Sequence, residues 1–478
     1  MEKPLSRNPR LIVIISDLHM GAGPLDDFDA DIELQFVAFL NDLSKKSRPV
    51  ELVINGDFLE FVQSEPWKPK ELRASSANDQ PLCFTEQQSL AKLDSILRYH
   101  PNVFTALGRF LAGNSDHQIC ILPGNHDPDL FWQGVRVRLQ AAIETAAKIP
   151  VGDRLKFHLD EVYRPASAPS VWIEHGHQHD RCNDFYIGDE PFWSTLRPPI
   201  LPDRSGKLRL IECVGTRFLN KYLNQLDEAY PFVDNVKPFS KFLKSFGMSA
   251  LAPGYGPVTA AVAVWGILKY VASTIKKSPH DLLGIEQGIP PSAGAVVAAA
   301  WERLPEPEGK LFVEKLRSKG VAINAPLPML LASDRFAETI LDILAENLDL
   351  AGSLPEPDPA LLGIGGEGAT LALAGGYVAD ESAELIKAAR RAIQHSGAGP
   401  VIMGHTHESQ DHPHGLNYVN TGSWTRYLRA QAGEQRSSWA LLKRGAASHF
   451  PFNLLYAQID TQQPDVVQLK KWCSSDDL

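Results

Sequence analysis

The stretch Ile119 to Asp127 reads ICILPGNHD. An apolar run of strand type meets Pro-Gly, and three polar side chains follow at once. The same event recurs along the chain. LIVIISDLH ends in Asp17 and His19, LVINGDFLE in Gly56 and Asp57, VWIEHGH in His175, and PVIMGHTH in His405 and His407. Any one of these endings is explained by turn chemistry, because Asn and Asp favour turns and Pro-Gly marks one. Five together require a fold that delivers several strand ends to one place.

The intervening segments say how that is done. Residues Ala30 to Lys45 place Ile32, Leu34, Phe36, Val37, Phe39, Leu40 and Leu43 at helical spacing. Leu90–Leu97, Val103–Leu111, Leu130–Ala147 and Asp380–Gln394 also read as helices. Strands are expected at Leu11–Ser16, Val50–Ile54, Gln118–Leu122, Val171–Glu174, Pro400–Met403 and Tyr418–Ser423. Leu454–Asp460 and Asp465–Trp472 read as a closing hairpin. Strands alternating with helices predict an α/β layered fold, in which functional residues gather on loops leaving the carboxyl ends of strands.

The alternation stops between Phe185 and Gly376, where long helical or apolar stretches are broken by Pro and Gly. Gly215–Phe232, Leu311–Ser318 and Arg335–Leu350 read as helices, the last with a clear amphipathic period. Ser353–Gly368 reads as a loop. The expected organisation is therefore one α/β domain in two parts, residues 1–184 and 377–478, around a mostly helical insertion over 185–376.

A chain of 478 residues is long for one typical compact domain, which agrees with an elaborated or double domain. Its formal net charge of −10 gives no global basic footprint for nucleic acid. The five cysteines include no CxxC, so a disulfide framework is not expected and a reducing compartment fits. The apolar run Leu11–Ile15 is too short for a signal peptide. Val258–Ser273 is apolar but shorter than the roughly 20 residues of a spanning helix and carries Lys269. It reads as a buried or interfacial helix. The expected location is cytoplasmic, with peripheral membrane contact compatible.

Imidazole and carboxylate together suit divalent Mn, Fe, Co or Zn. Asp17, His19, Asp57, Asn125, His175, His405 and His407 are too many donors for one tetrahedral ion but suit two sites that share a carboxylate. Two metals about 3.5–4 Å apart can hold a hydroxide between them and clamp a phosphoryl group. The neutral Asn125 amide adds coordination without repelling an anion. His126, beside it, is placed to meet a leaving-group oxygen, and Asp127 is read as the group that orients His126 or raises its pKa.

DLH, GDFLE, GNHD, EHGH and GHTH, in this order, resemble the calcineurin-like metallophosphoesterase family over about Leu11–Asp184 and Asp380–Trp472. The resemblance implies a β-sandwich flanked by helices. It implies a first metal on Asp17, His19, Asp57 and His407, and a second on Asp57, Asn125, His175 and His405. His126 would be the proton donor. Two divalent ions are implied, Mn²⁺ favoured, with Fe, Zn or Co compatible. SDLHMG and NGDFLEF look like the branch with the bacterial UDP-diacylglucosamine pyrophosphatases, although His126 stands where that group carries Arg.

The expected activity is hydrolysis of a phosphomonoester or phosphodiester, lipid-linked or nucleotide substrates included. Alternatives are a nuclease of the double-strand-break repair type, a lipid-linked pyrophosphatase, or a non-catalytic metal-binding module. A lipid-binding reading of the insertion rests on Val258–Ser273 and Ala293–Trp301. His177, His179 and Arg181 have no assigned role at this level.

Overall fold

A computed structural model of the chain describes residues 9–66, 84–180, most of 183–237, 381–429, 439–442 and 449–473. The chain forms two compact units. The first comprises Met1–Thr216, Glu381–Tyr427 and Pro451–Leu478, and the second Arg217–Asp380 with Leu428–Phe450.

In the first unit, strands β1 (Leu11–Ile15), β2 (Val50–Asn55), β3 (Gln118–Leu122), β4 (Leu155–Phe157) and β5 (Trp172–Ile173) come with helices α1 (Ala30–Ser44), α2 (Glu86–Tyr99), α3 (Pro101–Gly113) and α4 (Gln133–Ala147). Four short strands follow, β6 (Tyr186–Ile187), β7 (Glu190–Pro191), β8 (Ile200–Pro202) and β9 (Leu208–Leu210). In the second unit β10 (Val236–Lys237) pairs in parallel with β14 (Leu428–Arg429). The first unit resumes with α5 (Glu381–Ser396), β11 (Val401–Met403), β12 (Gln410–Asp411) and β13 (Tyr418–Asn420), and closes with β15 (Leu455–Asp460) and β16 (Val467–Lys471).

Among the described residues the two largest sheets have the orders β16-β15-β1-β2-β3-β4 and β12-β13-β11-β5. Strands β1 to β4 run parallel, as do β5, β11 and β13. The closing hairpin of β15 and β16 adds antiparallel to β1. Side-chain alternation then sorts the core. Ile12 and Ile14 of β1 share a cluster with Val53, Cys120, Ile173, Ile402 and Val419, so this core joins the two sheets. Val13 and Ile15 face the other way, into Phe36, Phe39, Leu93 and Phe110 of the helices. Leu385, Ala388 and Ala389 of α5 cover Val401, Met403 and Tyr418 of the second sheet. The architecture is helix, sheet, sheet, helix: a mixed α/β sandwich of the expected class.

Helix starts follow their local chemistry. Asp29 caps α1 by accepting from the N–H groups of Asp31 and Ile32, and Thr85 with Gln88 makes a capping box on α2. The expected helix Leu130–Ala147 is divided: Pro128–Phe131 forms one 3₁₀ turn, and α4 begins only after the extended Trp132. The described residues between 186 and 210, expected to be helical or apolar, are two hairpins, β6-β7 and β8-β9. Pro191 and Pro202 within these strands fit short edge pairs, not a helix. Strand β4 is too short and too polar to show periodicity. Of the other expected elements, Gly215–Phe232 is largely outside the described residues. Val258–Ser273, Ala293–Trp301, Leu311–Ser318, Arg335–Leu350 and Ser353–Gly368 lie wholly outside them. Among the described residues no helix is long and apolar enough to cross a membrane.

Candidate metal centre

Parallel strands point their carboxyl ends the same way, so the loops after β1, β2, β3, β5 and β11 meet. They are stitched by backbone bonds: Leu18 and His19 N–H to Asp57 C=O at 2.9 Å each, Gly56 N–H to Leu122 C=O at 3.1 Å, and Gly404 N–H to His175 C=O at 2.9 Å. Each loop turns sharply. Asp17, His19, Asp57, His405 and His407 all have positive φ, between 47° and 71°. Among the described residues only three other non-glycine positions do, Lys148, His412 and His414. A left-handed Asp or His costs conformational energy, and such strain concentrates where side chains must be aimed at a site. Gly124 is required by packing: a Cβ there would run into the Asp57 carboxylate and lie 2.8 Å from His175 Nε2.

The structure brings the expected donors together. Asp17, His19 and His407 offer ligand atoms within 4.8 Å of one another, and so do Asp57, His175 and His405. All six are at least nine-tenths buried. His19 Nε2 lies 2.9 Å from His407 Nε2 and 3.6 Å from Asp57 Oδ2. His407 Nε2 is 3.5 Å from Asp17 Oδ1, and His175 Nε2 is 3.1 Å from Asp57 Oδ2. Asp57 thus stands between the two groups. Asn125 is also buried, and its Oδ1 makes no hydrogen bond.

Counting protons shows what these contacts lack. His175 Nδ1 faces the Asn55 carbonyl at 2.8 Å, and a carbonyl only accepts, so Nδ1 carries the hydrogen. In the neutral ring Nε2 is then a lone pair aimed at a carboxylate. His19 places Nδ1 on Glu60 Oε2 at 3.1 Å and Nε2 2.9 Å from His407 Nε2, where either ring can carry the shared hydrogen. Acceptors facing acceptors are reconciled by extra protons or by cations. Protons alone distort the acidities. Burial opposes the charge on His175, yet Asp57 outweighs it and raises the imidazole to about 9. Burial also works against ionised Asp57, but His175, His126 and His19 hold its carboxyl well below the usual range. Divalent cations satisfy both groups at once, and imidazole and carboxylate donors 2.9–3.6 Å apart match neighbours around ions with bonds of about 2.0–2.2 Å. The residues fit divalent cations.

His126 stands beside this cluster, its ring 4.6 Å from that of His19 and edge-on to it. The carboxylate on its Nδ1 is Glu60, at 2.5 Å. This corrects the role expected of Asp127. Asp127 lies fully buried under the loops, accepting the N–H groups of Gly124, Phe58 and Leu59 at 2.6–3.2 Å. Its neighbours are donors of the backbone because it sits at the crossing of the GDFLE and GNHD turns. Burial first, and the charge of Asp57 second, push the Asp127 carboxyl up to about 8. Glu60 does the opposite: burial alone would raise it, but His126 and His19 bring it to about 2, so it is ionised. Its other oxygen is fixed by the N–H groups of Val62 and Gln63. Glu60 lies three positions after Asp57, within the same turn, but its ring partner His126 is 66 residues away.

The residues after His175 also find their places. His179 Nε2 meets Glu174 Oε1 at 3.0 Å, a structural tie. His177 is 1% exposed, packed between Trp193, Phe185 and the His175 ring, and neither ring nitrogen has a hydrogen-bond partner. Arg181 lies outside the described residues.

With this geometry in hand, residues 10–210 match the family model for calcineurin-like phosphoesterase. The chain carries a calcineurin-like phosphoesterase domain. Members of this family are hydrolases acting on phosphate esters. The match contains Asp17, His19, Asp57, Asn125, Glu60, His126 and His175. His405 and His407 lie beyond it, and the fold returns them to the same loops. Comparison with curated proteins found no match.

Proposed function

We propose that the phosphoesterase domain hydrolyses a phosphomonoester or phosphodiester with two divalent cations. Asp17, His19, Asp57 and His407 would hold the first. Asp57, Asn125, His175 and His405 would hold the second. The observation that carries this reading is the convergence of ligand atoms: His19 Nε2, His407 Nε2, His175 Nε2 and the Asp57 carboxylate make buried contacts of 2.9–3.6 Å with one another. Manganese is the favoured ion, with Fe, Zn or Co suited to the same mixed nitrogen and oxygen donors. Bound there, two divalent cations supply Lewis-acid polarisation of the phosphoryl group and a nucleophile at neutral pH.

The chain's own residues supply the rest. Glu60 holds His126 by Nδ1, so proton delivery to the leaving oxygen falls to Nε2. The same Glu60 oxygen orients His19, which couples the proton donor to one ligand. Asn125 brings a neutral oxygen to the cluster and so adds a donor without repelling a phosphate dianion.

The test uses the metal-stripped full chain with bis-p-nitrophenyl phosphate and p-nitrophenyl phosphate, Mn²⁺ added back, and Asp57→Asn as control. Activity that returns with Mn²⁺ and is absent from Asp57→Asn supports the reading, and the preferred ester separates diesterase from monoesterase. Hydrolysis that is indifferent to Mn²⁺ or survives in Asp57→Asn would overturn it.

A further inference from the structure

The histidines of the cluster divide their ring nitrogens. His19 gives Nδ1 to Glu60, His175 gives Nδ1 to Asn55, and each turns Nε2 inward. His405 meets a carboxylate as well, through its other nitrogen. Its Nε2 lies 3.2 Å from Asp180 Oδ2, a carboxylate on the turn that follows His175. The turn is tied to itself, with the N–H groups of Asn183 and Asp184 bonded to Asp180 C=O at 3.0 and 2.9 Å. Metal-bound histidines characteristically donate their other ring N–H to a carboxylate or carbonyl, which fixes tautomer and ring orientation.

Asp180 reaches a second ligand by another route. Asn183 Nδ2 donates to the same Asp180 Oδ2 at 2.7 Å, and Asn125 Nδ2 donates to Asn183 Oδ1 at a long 3.5 Å. The polarity of this relay is dictated from one end. An ionised carboxylate only accepts, so Asn183 must offer its NH₂ to Asp180. Its oxygen is then the end left for Asn125, which must answer with its own NH₂. That leaves Asn125 Oδ1, buried and without a hydrogen bond, as the end offered to the cluster. The reversed amide would aim two N–H groups at a cation.

We propose that Asp180 is a positioning residue for the second cation, fixing His405 directly and the amide orientation of Asn125 through Asn183. This rests on the two-cation reading above. One turn thereby sets two of the four residues assigned to that ion, and none of those assigned to the first.

The test is calorimetric titration of the metal-stripped full chain with Mn²⁺, comparing wild type, Asp180→Asn and Asn183→Ala. An asparagine at 180 can present its NH₂ to the relay and reverse it. Loss of such an outer partner weakens metal binding by roughly 10- to 100-fold. The expected result is that loss at one of two sites in Asp180→Asn, a smaller loss at the same site in Asn183→Ala, and the other site within about twofold of wild type. General damage to the fold would weaken both sites together, and that outcome overturns the proposal. So does a wild-type pattern in both variants. A wild-type chain that takes up fewer than two Mn²⁺ ions would instead overturn the two-cation reading, and this inference with it.

Discussion

Two histidine clusters lie in the same unit and differ in one respect. At the junction of α2 and α3, His100 is buried with Nδ1 on Glu33 Oε2 at 2.7 Å and Nε2 on Asp26 Oδ2 at 2.9 Å. Both nitrogens meet acceptors, so a protonated ring satisfies both carboxylates and the set is complete. Around Asp57, by contrast, His19, His175 and His407 aim nitrogens at one another and at carboxylates. There the ligand atoms of three rings and two carboxylates converge on one space. Burial and acidic company are common to both clusters. What separates the two is how many ring nitrogens and carboxylate oxygens share one space.

The largest effect is expected at the shared carboxylate. Asp57→Asn removes a donor common to both proposed ions, each worth several kcal/mol to the reaction, so hydrolysis should fall beyond roughly 10⁴-fold, with Mn²⁺ uptake lost in calorimetry. Residual uptake of two ions would break the contrast at its centre. Next is His126→Ala, with an expected drop of roughly 10²- to 10⁴-fold in kcat and Mn²⁺ binding retained. If binding is lost as well, His126 belongs to the ligand set and not to proton transfer. Glu60→Gln should cost about 10- to 100-fold in activity, because an amide orients His19 and His126 less firmly than an ionised carboxylate.

His100→Gln is the control from the completed cluster. It should leave Mn²⁺ affinity and activity unchanged and lower stability by about 1.5–3 kcal/mol, the worth of hydrogen bonds to charged groups. The cost should depend on pH. Burial opposes the charge on His100, but the bonds and charges of Asp26 and Glu33 outweigh it and raise its pKa above the ordinary value. A raised histidine stabilises the fold fully below its unfolded pKa of about 6.5, and the contribution fades as pH rises through the folded value. Urea melts of wild type and His100→Gln should therefore differ more at pH 6 than at pH 9. A gap independent of pH would mean that the ring is held neutral.

Much of this was legible in the chain. Strands such as Leu11–Ile15 and Gln118–Leu122 are β-branched or apolar runs bounded by polar residues, and pattern alone places them. The candidate ligands were legible because each follows such a run directly. Strand β4 was not, being three residues with Lys156 exposed at its middle. The hairpins over 186–210 owe their form to short edge pairings that leave no periodic trace. Glu60 and Asp180 escaped for a different reason. Their roles depend on which atom of a distant ring they meet, across 66 and 225 residues of chain, and spacing carries no such information.

That distance has a consequence for when the protein becomes active. Asp17 accepts the N–H of His405 across 388 positions, and the open edge of β1 waits for β15 to pair with it. At roughly 5–20 residues per second, a ribosome takes on the order of tens of seconds to travel between those two points. During that interval the first strand has an uncovered edge, and the site has carboxylates but lacks two of its imidazoles. The centre therefore cannot assemble domain-first from the amino terminus. It forms only when the last part of the sandwich arrives, so a nascent chain stalled before His405 should hold no complete metal centre.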